Sequence, residues 1–136
     1  MIIDWHTHLW QAPEQLGEQI SAKLRARFAE RYAALDASPQ AHEAAMEPVD
    51  VSIVLGFRSR YLGADVPNTL IGDYVRPRAE RVIGFGGIDL AEPDWPEQLK
   101  RFPEMGLTGL TISPAGQDFH PSDTRALALY EMAQSM

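Results

Sequence analysis

The sequence predicts an α/β domain of four successive βα units on a parallel sheet. Three observations carry this. Four short apolar runs alternate with segments of helical periodicity along the 136 residues. The second run, Val49 to Leu55, is β-branched and nearly continuous, as in strands buried on both faces of a parallel sheet. A complete (β/α)8 barrel takes roughly 250 residues, or about 30 per unit, so this length holds about four units.

Ile2-Ile3 opens a first strand that runs into Asp4-Trp5-His6-Thr7-His8. From Pro13 to Leu35, the apolar residues Leu16, Ile20, Leu24, Phe28 and Tyr32 recur every four positions, with Leu35 three further on. That spacing predicts one apolar stripe on one helix. Ser38 reads as an N-cap and Pro39 as the first helical residue of a second helix, through about Met46, which Pro48 ends. Gly56 closes the second strand, and Gly63 to Pro67 reads as loop. Asn68 to Arg78 reads as a helix whose last turn Pro77 weakens. Val82 to Leu90 is the third strand; Gly84, Gly86 and Gly87 within it point to a close approach or a bend. Pro93 to Pro103 is helical, with Trp95, Leu99 and Phe102 on one face. Leu107 to Ile112 is the fourth strand and Ser113 to Phe119 a loop. Pro121-Ser122-Asp123 caps a last helix, Thr124 to Ser135. The expected sheet order is 1-2-3-4, with helices on the outer face and active groups at the strand C-terminal ends.

Composition narrows the class. Apolar residues make up 45% and charged residues 23%, the balance of a globular domain. The net charge of −7 weighs against a nucleic-acid partner. No apolar run approaches the roughly 18 residues needed to cross a bilayer, and the N-terminus lacks the pattern of a signal peptide. Zero cysteines exclude disulfides, thiolate nucleophiles and cysteine-held zinc. The expectation is a cytoplasmic enzyme or binding domain without membrane contact.

The chemistry concentrates in Asp4-Trp5-His6-Thr7-His8. Strand side chains alternate, so His6 and His8 share a face and together can chelate one divalent ion. Asp4 has the same parity and could orient a ligand. The competing reading is two histidines satisfied by ordinary surface or core contacts. Trp10 comes just after the motif as a candidate wall of a substrate pocket, or as a packing residue. Arg58 and Arg60 come after the second strand, where an arginine would suit a substrate carboxylate; solvated loop arginines are the alternative. His42 reads as a solvated helix residue, and His120 lies in the loop after the fourth strand. Asp118 and Asp123 could pass for acids, but Asp123 is better explained as a helix cap.

These residues resemble the amidohydrolase superfamily, specifically the amidohydrolase-related branch that includes aminocarboxymuconate semialdehyde decarboxylase. Ile3-Asp4-Trp5-His6-Thr7-His8 looks like the family's "IDxHxH" first strand. Met46 to Leu55, then Asn68 to Asp89 with Asp73-Tyr74-Val75 and Arg81-Val82-Ile83-Gly84-Phe85, resemble the second and third units. Gly106-Leu107-Thr108-Gly109-Leu110-Thr111-Ile112-Ser113-Pro114 is similar to its "GLRGLKLHP" strand, with Thr111 and Ser113 where lysine and histidine are common. Gln117 to Ala133 resembles the family's "QGF.PDD…LYE.A" segment, which comes after that strand. The likeness spans nearly the whole chain, in order.

The resemblance implies the N-terminal half of a metal-dependent hydrolase (β/α)8 TIM barrel. The complete barrel would hydrolyse a C–N or C–O bond, or decarboxylate a small carboxylic acid. It implies a divalent metal, zinc, with His6 and His8 as ligands; Trp10 and Arg58 stay the substrate-binding candidates on their positions alone. The further metal-binding histidines and the catalytic aspartate come from the later units, beyond residue 136. Zinc sites take three or four protein ligands, so the chain alone is expected to turn over little or no substrate. Four strands also leave two unpaired edges and an uncovered inner face, lined by Ile53, Leu55, Ile83, Phe85 or Leu110 according to parity. The expected partners are therefore a small-molecule substrate and a second copy or a complementary half-barrel. Three alternatives stay open. The chain could derive from another His-x-His barrel, a phosphoesterase or deoxyribonuclease. It could be a catalytically inactive half-barrel acting only through association. Or it could be a truncated product.

Overall fold

The computed structural model describes residues 1–34 and 36–136; the side chains of residues 32–34 lie outside the description. The places predicted for Leu35 and for the Tyr32 side chain on the first helical stripe therefore lie outside the described residues.

Four parallel strands form one sheet in the order β1 (Ile3–Thr7), β2 (Val51–Leu55), β5 (Val82–Gly87), β6 (Gly109–Thr111). Spatial order matches chain order, as consecutive βα units require. The helices are α1 (Glu18–Phe28), α2 (Pro39–Ala45), α3 (Asn68–Val75), α4 (Trp95–Lys100), α5 (Phe102–Met105) and α6 (Thr124–Ser135). A small antiparallel hairpin, β3 (Arg58–Ser59) with β4 (Ala64–Asp65), fills part of the stretch expected to be loop.

The ladder registers divide the sheet into two faces. Ile53 pairs with Ile83 and Leu55 with Phe85 in one row, while Ser52 pairs with Val82 and Val54 with Gly84 in the other. The second row meets the helices. A Cβ on Gly84 would lie 2.9 Å from both Val75 Cγ2 and Leu107 Cδ2, and a Cβ on Gly86 only 2.2 Å from Phe102 Cζ. The strand glycines are thus the space into which α3 and α5 pack, the close approach the sequence predicts. Val54, Ile71, Val75, Phe102, Leu107 and Leu129 form the buried core on this side. Each fully buried aliphatic or aromatic side chain here stabilises the fold by roughly 1.5–3 kcal/mol.

The other face is open only in part: Ile53 is 2% exposed and Leu55 and Phe85 are half-buried. Ile83 is 36% exposed, and at the β1 edge Ile3 is 49% and Trp5 71% exposed. Leu110 is not part of this face: it pairs with Gly86 and packs against the core on the helix side.

Two predicted helices break. The segment from Pro13 onward begins as a 3-10 turn, Pro13–Leu16, succeeded by α1 and a second 3-10 stretch, Ala29–Ala34. Gly17 causes the first break. Its φ is +81°, and a Cβ there would lie 2.1 Å from the Leu62 carbonyl oxygen, so the hairpin backbone presses against it. The apolar stripe survives the break: Leu16 is buried, and Ile20 and Leu24 pack against the core margin. The Pro93–Pro103 segment divides at Arg101, because Pro103 cannot donate a helical hydrogen bond and so opens α5 instead. Gly106, in the left-handed region at φ +78°, ends α5. Ser38 and Asp123 cap α2 and α6 as predicted, accepting from Ala41 N–H and Arg125 N–H.

Candidate functional site

β1 carries a bulge. Asp4 pairs with Ser52 and the next pair is Thr7 with Val54, so three residues on β1 stand against two on β2. The extra residue reverses the side-chain alternation. Asp4 and Thr7 therefore both belong to the helix-facing row, and His6 and His8 project on the opposite side. This corrects the parity argument for Asp4. Its carboxylate accepts the His6 backbone N–H at 3.2 Å, and its charge favours the protonated form of His42 on the same side of the sheet.

His6 and His8 meet at the C-terminal end of β1. Their Nε2 atoms are 3.0 Å apart, with ring centroids at 4.9 Å. Two imidazoles that share one ion at 2.0–2.1 Å would place their nitrogens about 2.9 Å apart at a right angle and about 3.3 Å apart at the tetrahedral angle. The observed spacing falls in that interval. His8 Nδ1 lies 2.9 Å from the Leu55 carbonyl, which can only accept, so Nδ1 carries the proton, the neutral ring leaves Nε2 as a lone pair, and His6 Nε2–H donates to it until an ion takes the proton's place. Burial is the main cause that holds His8 below the ordinary histidine pKa; the nearby His6 adds to it and the Leu55 hydrogen bond opposes it. A neutral imidazole with its second nitrogen tied to a carbonyl is the form a metal ligand takes. Among the described residues, no group of three or more His, Cys, Asp or Glu side chains is placed to hold an ion. The pair fits as two ligands of a larger set.

The other candidates from the sequence sit at or near the loops around this end. Trp10 is half-buried against the core, with its backbone N–H on Ala37 O at 3.0 Å. Arg58 pairs with Asp65 at 2.9 Å and Glu92 at 3.1 Å, and donates to Gln98 at 2.6 Å. A substrate carboxylate reaching Arg58 would have to displace Asp65 or Glu92. Arg60 Nη1 donates to Ala91 O. His120 is exposed, and its Nδ1 accepts Ser122 N–H within its own loop.

His42 is not the solvated helix residue expected from the sequence. It is 6% exposed, with Nδ1 2.8 Å from the Tyr74 hydroxyl and Nε2 2.9 Å from Thr7 Oγ1. Two further residues near the strand ends carry roles that no local signal announced. Asn68 exchanges two hydrogen bonds with the Gly87 backbone, at 2.9 and 2.8 Å, and ties α3 to the end of β5. Gln117, 6% exposed, donates to Arg58 O and Ile88 O and accepts from Ser113 N, joining three loops at the C-terminal end of the sheet.

Fold and strand order define the class: four consecutive βα units of a TIM barrel. No protein-family model matches the chain, and no curated protein does. Solved structures do. A TIM-barrel protein from Bordetella bronchiseptica superposes with a TM-score of 0.70 at 15% identity, covering 98% of this chain and 52% of that one. A 5-carboxyvanillate decarboxylase from Novosphingobium aromaticivorans, holding manganese and 3-methoxy-4-hydroxy-5-nitrobenzoic acid, gives 0.63 at 14%, covering 99% and 48%. A 4-oxalomesaconate hydratase from Rhodopseudomonas palustris gives 0.57 at 19%, covering 96% and 48%. At these identities the likeness shows the fold. The chain spans about half the length of each structure, and the half-barrel expected from the sequence is what they match.

Proposed function

We propose that this chain carries the first four βα units of an amidohydrolase-related, metal-dependent barrel that acts on a small carboxylic acid. The reaction class is decarboxylation or hydrolysis of a C–N or C–O bond. The observation that carries the reading is the convergence of His6 and His8, with Nε2 atoms 3.0 Å apart and His8 locked by Leu55 in the ligating tautomer. The likeness to a decarboxylase that holds manganese and a nitrobenzoic acid supports it.

In this reading a divalent ion supplies Lewis acidity toward a substrate oxygen or a water molecule. Zinc suits imidazole ligands, and manganese is the ion of the solved neighbour. His6 and His8 hold the ion from the β1 end. Leu55 fixes the His8 ring through its carbonyl, so Nε2 cannot rotate away from its partner. Asp4, on the far side of the sheet, takes no part in proton transfer. Trp10 walls the entrance beside the motif, and Arg58 meets the substrate carboxylate once Asp65 or Glu92 yields it. A cytoplasmic setting goes with this reading, on the cysteine-free composition.

A second reading is favoured by the open sheet face. The apolar row with Ile3, Trp5 and Ile83 exposed belongs against other protein, a second copy or a complementary half-barrel. Association then completes the barrel and its ligand set.

The visible absorption of Co2+ added in place of zinc tests the metal reading. An imidazole-ligated spectrum that disappears in His8→Ala supports it. A spectrum indistinguishable from aqueous Co2+ contradicts it.

A further inference from the structure

We propose that the buried hydrogen-bonded chain Tyr74–His42–Thr7–Ile53, on the helix side of the sheet, positions His6 and His8 on the open side. The inference deepens the metal-site reading and rests on it for the role of the two histidines.

The chain has one polarity. Ile53 C=O can only accept, so Thr7 Oγ1 donates its single proton there, at 2.8 Å. The hydroxyl must then accept from His42, whose Nε2–H donates at 2.9 Å. The neutral ring has Nδ1 free as an acceptor, and the Tyr74 hydroxyl donates to it at 2.8 Å. Burial holds His42 below the usual histidine pKa and Tyr74 above the usual tyrosine value, so both are uncharged at neutral pH. Thr7, His42 and Tyr74 are 7%, 6% and 4% exposed, so water cannot substitute freely for any of the links.

The place of Thr7 gives the chain its consequence. Thr7 lies between the two histidines in sequence, directly after the bulge, where the regular ladder between Asp4 and Thr7 is interrupted. Strand pairing alone leaves this stretch poorly held. Two side-chain anchors onto β2 replace it: Thr7 onto Ile53 O and His8 onto Leu55 O, two residues apart. Threonine suits the position because its branched Cβ restricts χ1 while its hydroxyl makes both bonds. His42 comes from α2 and Tyr74 from α3, so two helices are coupled to the strand end that carries the histidine pair. Thr7 and His42 are positioning residues: they touch no substrate and act through the strand.

Thr7→Val keeps the shape and removes both hydrogen bonds; Thr7→Ser keeps the hydroxyl. Zn2+ affinity is measured by calorimetry for the 136-residue chain and for each variant, alongside the thermal unfolding midpoint. Thr7 bonds neither ligand directly, so Thr7→Val is expected to lose less than the roughly tenfold typical of a ligand's own hydrogen-bond partner, about threefold or more, and Thr7→Ser to stay near the parent. Equal affinities in the parent and a folded Thr7→Val overturn the proposal. Should Thr7→Val fail to fold, Tyr74→Phe decides in the same way, because it removes only the first donor. Imidazole 15N signals of the metal-free chain give a second readout. His42 is expected protonated at Nε2 and bare at Nδ1, and the opposite tautomer overturns the chain of bonds. If the parent binds no zinc, the ligand reading fails by itself. The positioning claim is then decided by whether Thr7→Val shifts the His6 and His8 ring signals: a shift sustains it and unchanged signals overturn it.

Discussion

Asp4 and Thr7 face the same side of the sheet although they stand three positions apart, because the bulge sets two residues of β1, Trp5 and His6, against the single Ile53 between their partners Ser52 and Val54. The inversion decides which groups can reach an ion held by His6 and His8, and it leaves Asp4 on the helix side. Asp4→Asn retains the acceptor for His6 N–H and should change Zn2+ affinity by less than about threefold, well short of the loss typical for a group that supports a ligand directly. A drop of tenfold or more in a calorimetric titration would place Asp4 in the metal site after all.

His42 makes stability fall with acid. Its folded pKa is lowered, chiefly by burial, with Arg78 pushing the same way and Asp4 opposing. Glu43, paired with Arg78, and the Tyr74 hydroxyl also lie about it. An unfolded histidine titrates near about 6.5. Below that pH the unfolded chain binds a proton that the folded chain refuses, so acidification favours unfolding until the lowered folded pKa is reached. Urea midpoints taken in steps from about pH 7.5 downward should begin to fall near about 6.5. In His42→Gln the fall should be shallower. Identical slopes for the two proteins would show that His42 is not the group responsible.

Gly86 admits no side chain. A Cβ there would sit 2.2, 2.5 and 2.8 Å from three carbons of the Phe102 ring, which is itself 2% exposed and cannot withdraw. Gly86→Ala is expected to destabilise by about 1–3 kcal/mol through overpacking. Adding Phe102→Leu should recover part of the loss, since the two sites share one contact. Purely additive chemical-denaturation energies for the double variant would mean that the clash lies elsewhere.

The open face predicts association. With Ile3, Trp5 and Ile83 exposed beside unpaired edges on β1 and β6, the chain should self-associate at micromolar concentration in sedimentation velocity. Ile83→Lys should move the population toward monomer. A parent chain that sediments only as a monomer would remove this face as an interface.

The parallel sheet and its strand order were legible in the sequence because each strand is a short apolar run set apart by helical periodicity or turn residues. The His6-x-His8 pair was legible because two residues is the strand repeat. What stayed hidden depends on partners far along the chain. The bulge is a relation between β1 and β2, and alternation within β1 alone placed Asp4 on the wrong side. His42 sits in the seven-residue α2, where local spacing gives no apolar stripe; Thr7 and Tyr74, 35 and 32 residues away, bury it. Gly17 breaks its helix because of a carbonyl at Leu62. The interactions of Arg58 come partly from Asp65, in a hairpin too short to leave an alternating pattern.

Calorimetric titration of Zn2+ into the 136-residue chain, its His6→Ala variant and its His8→Ala variant tests the central claim most directly. Ring nitrogens already 3.0 Å apart predict one ion bound by the pair, with each single variant weakened by about tenfold or more. Heats that are the same for all three proteins would contradict the assignment of His6 and His8 as a metal site.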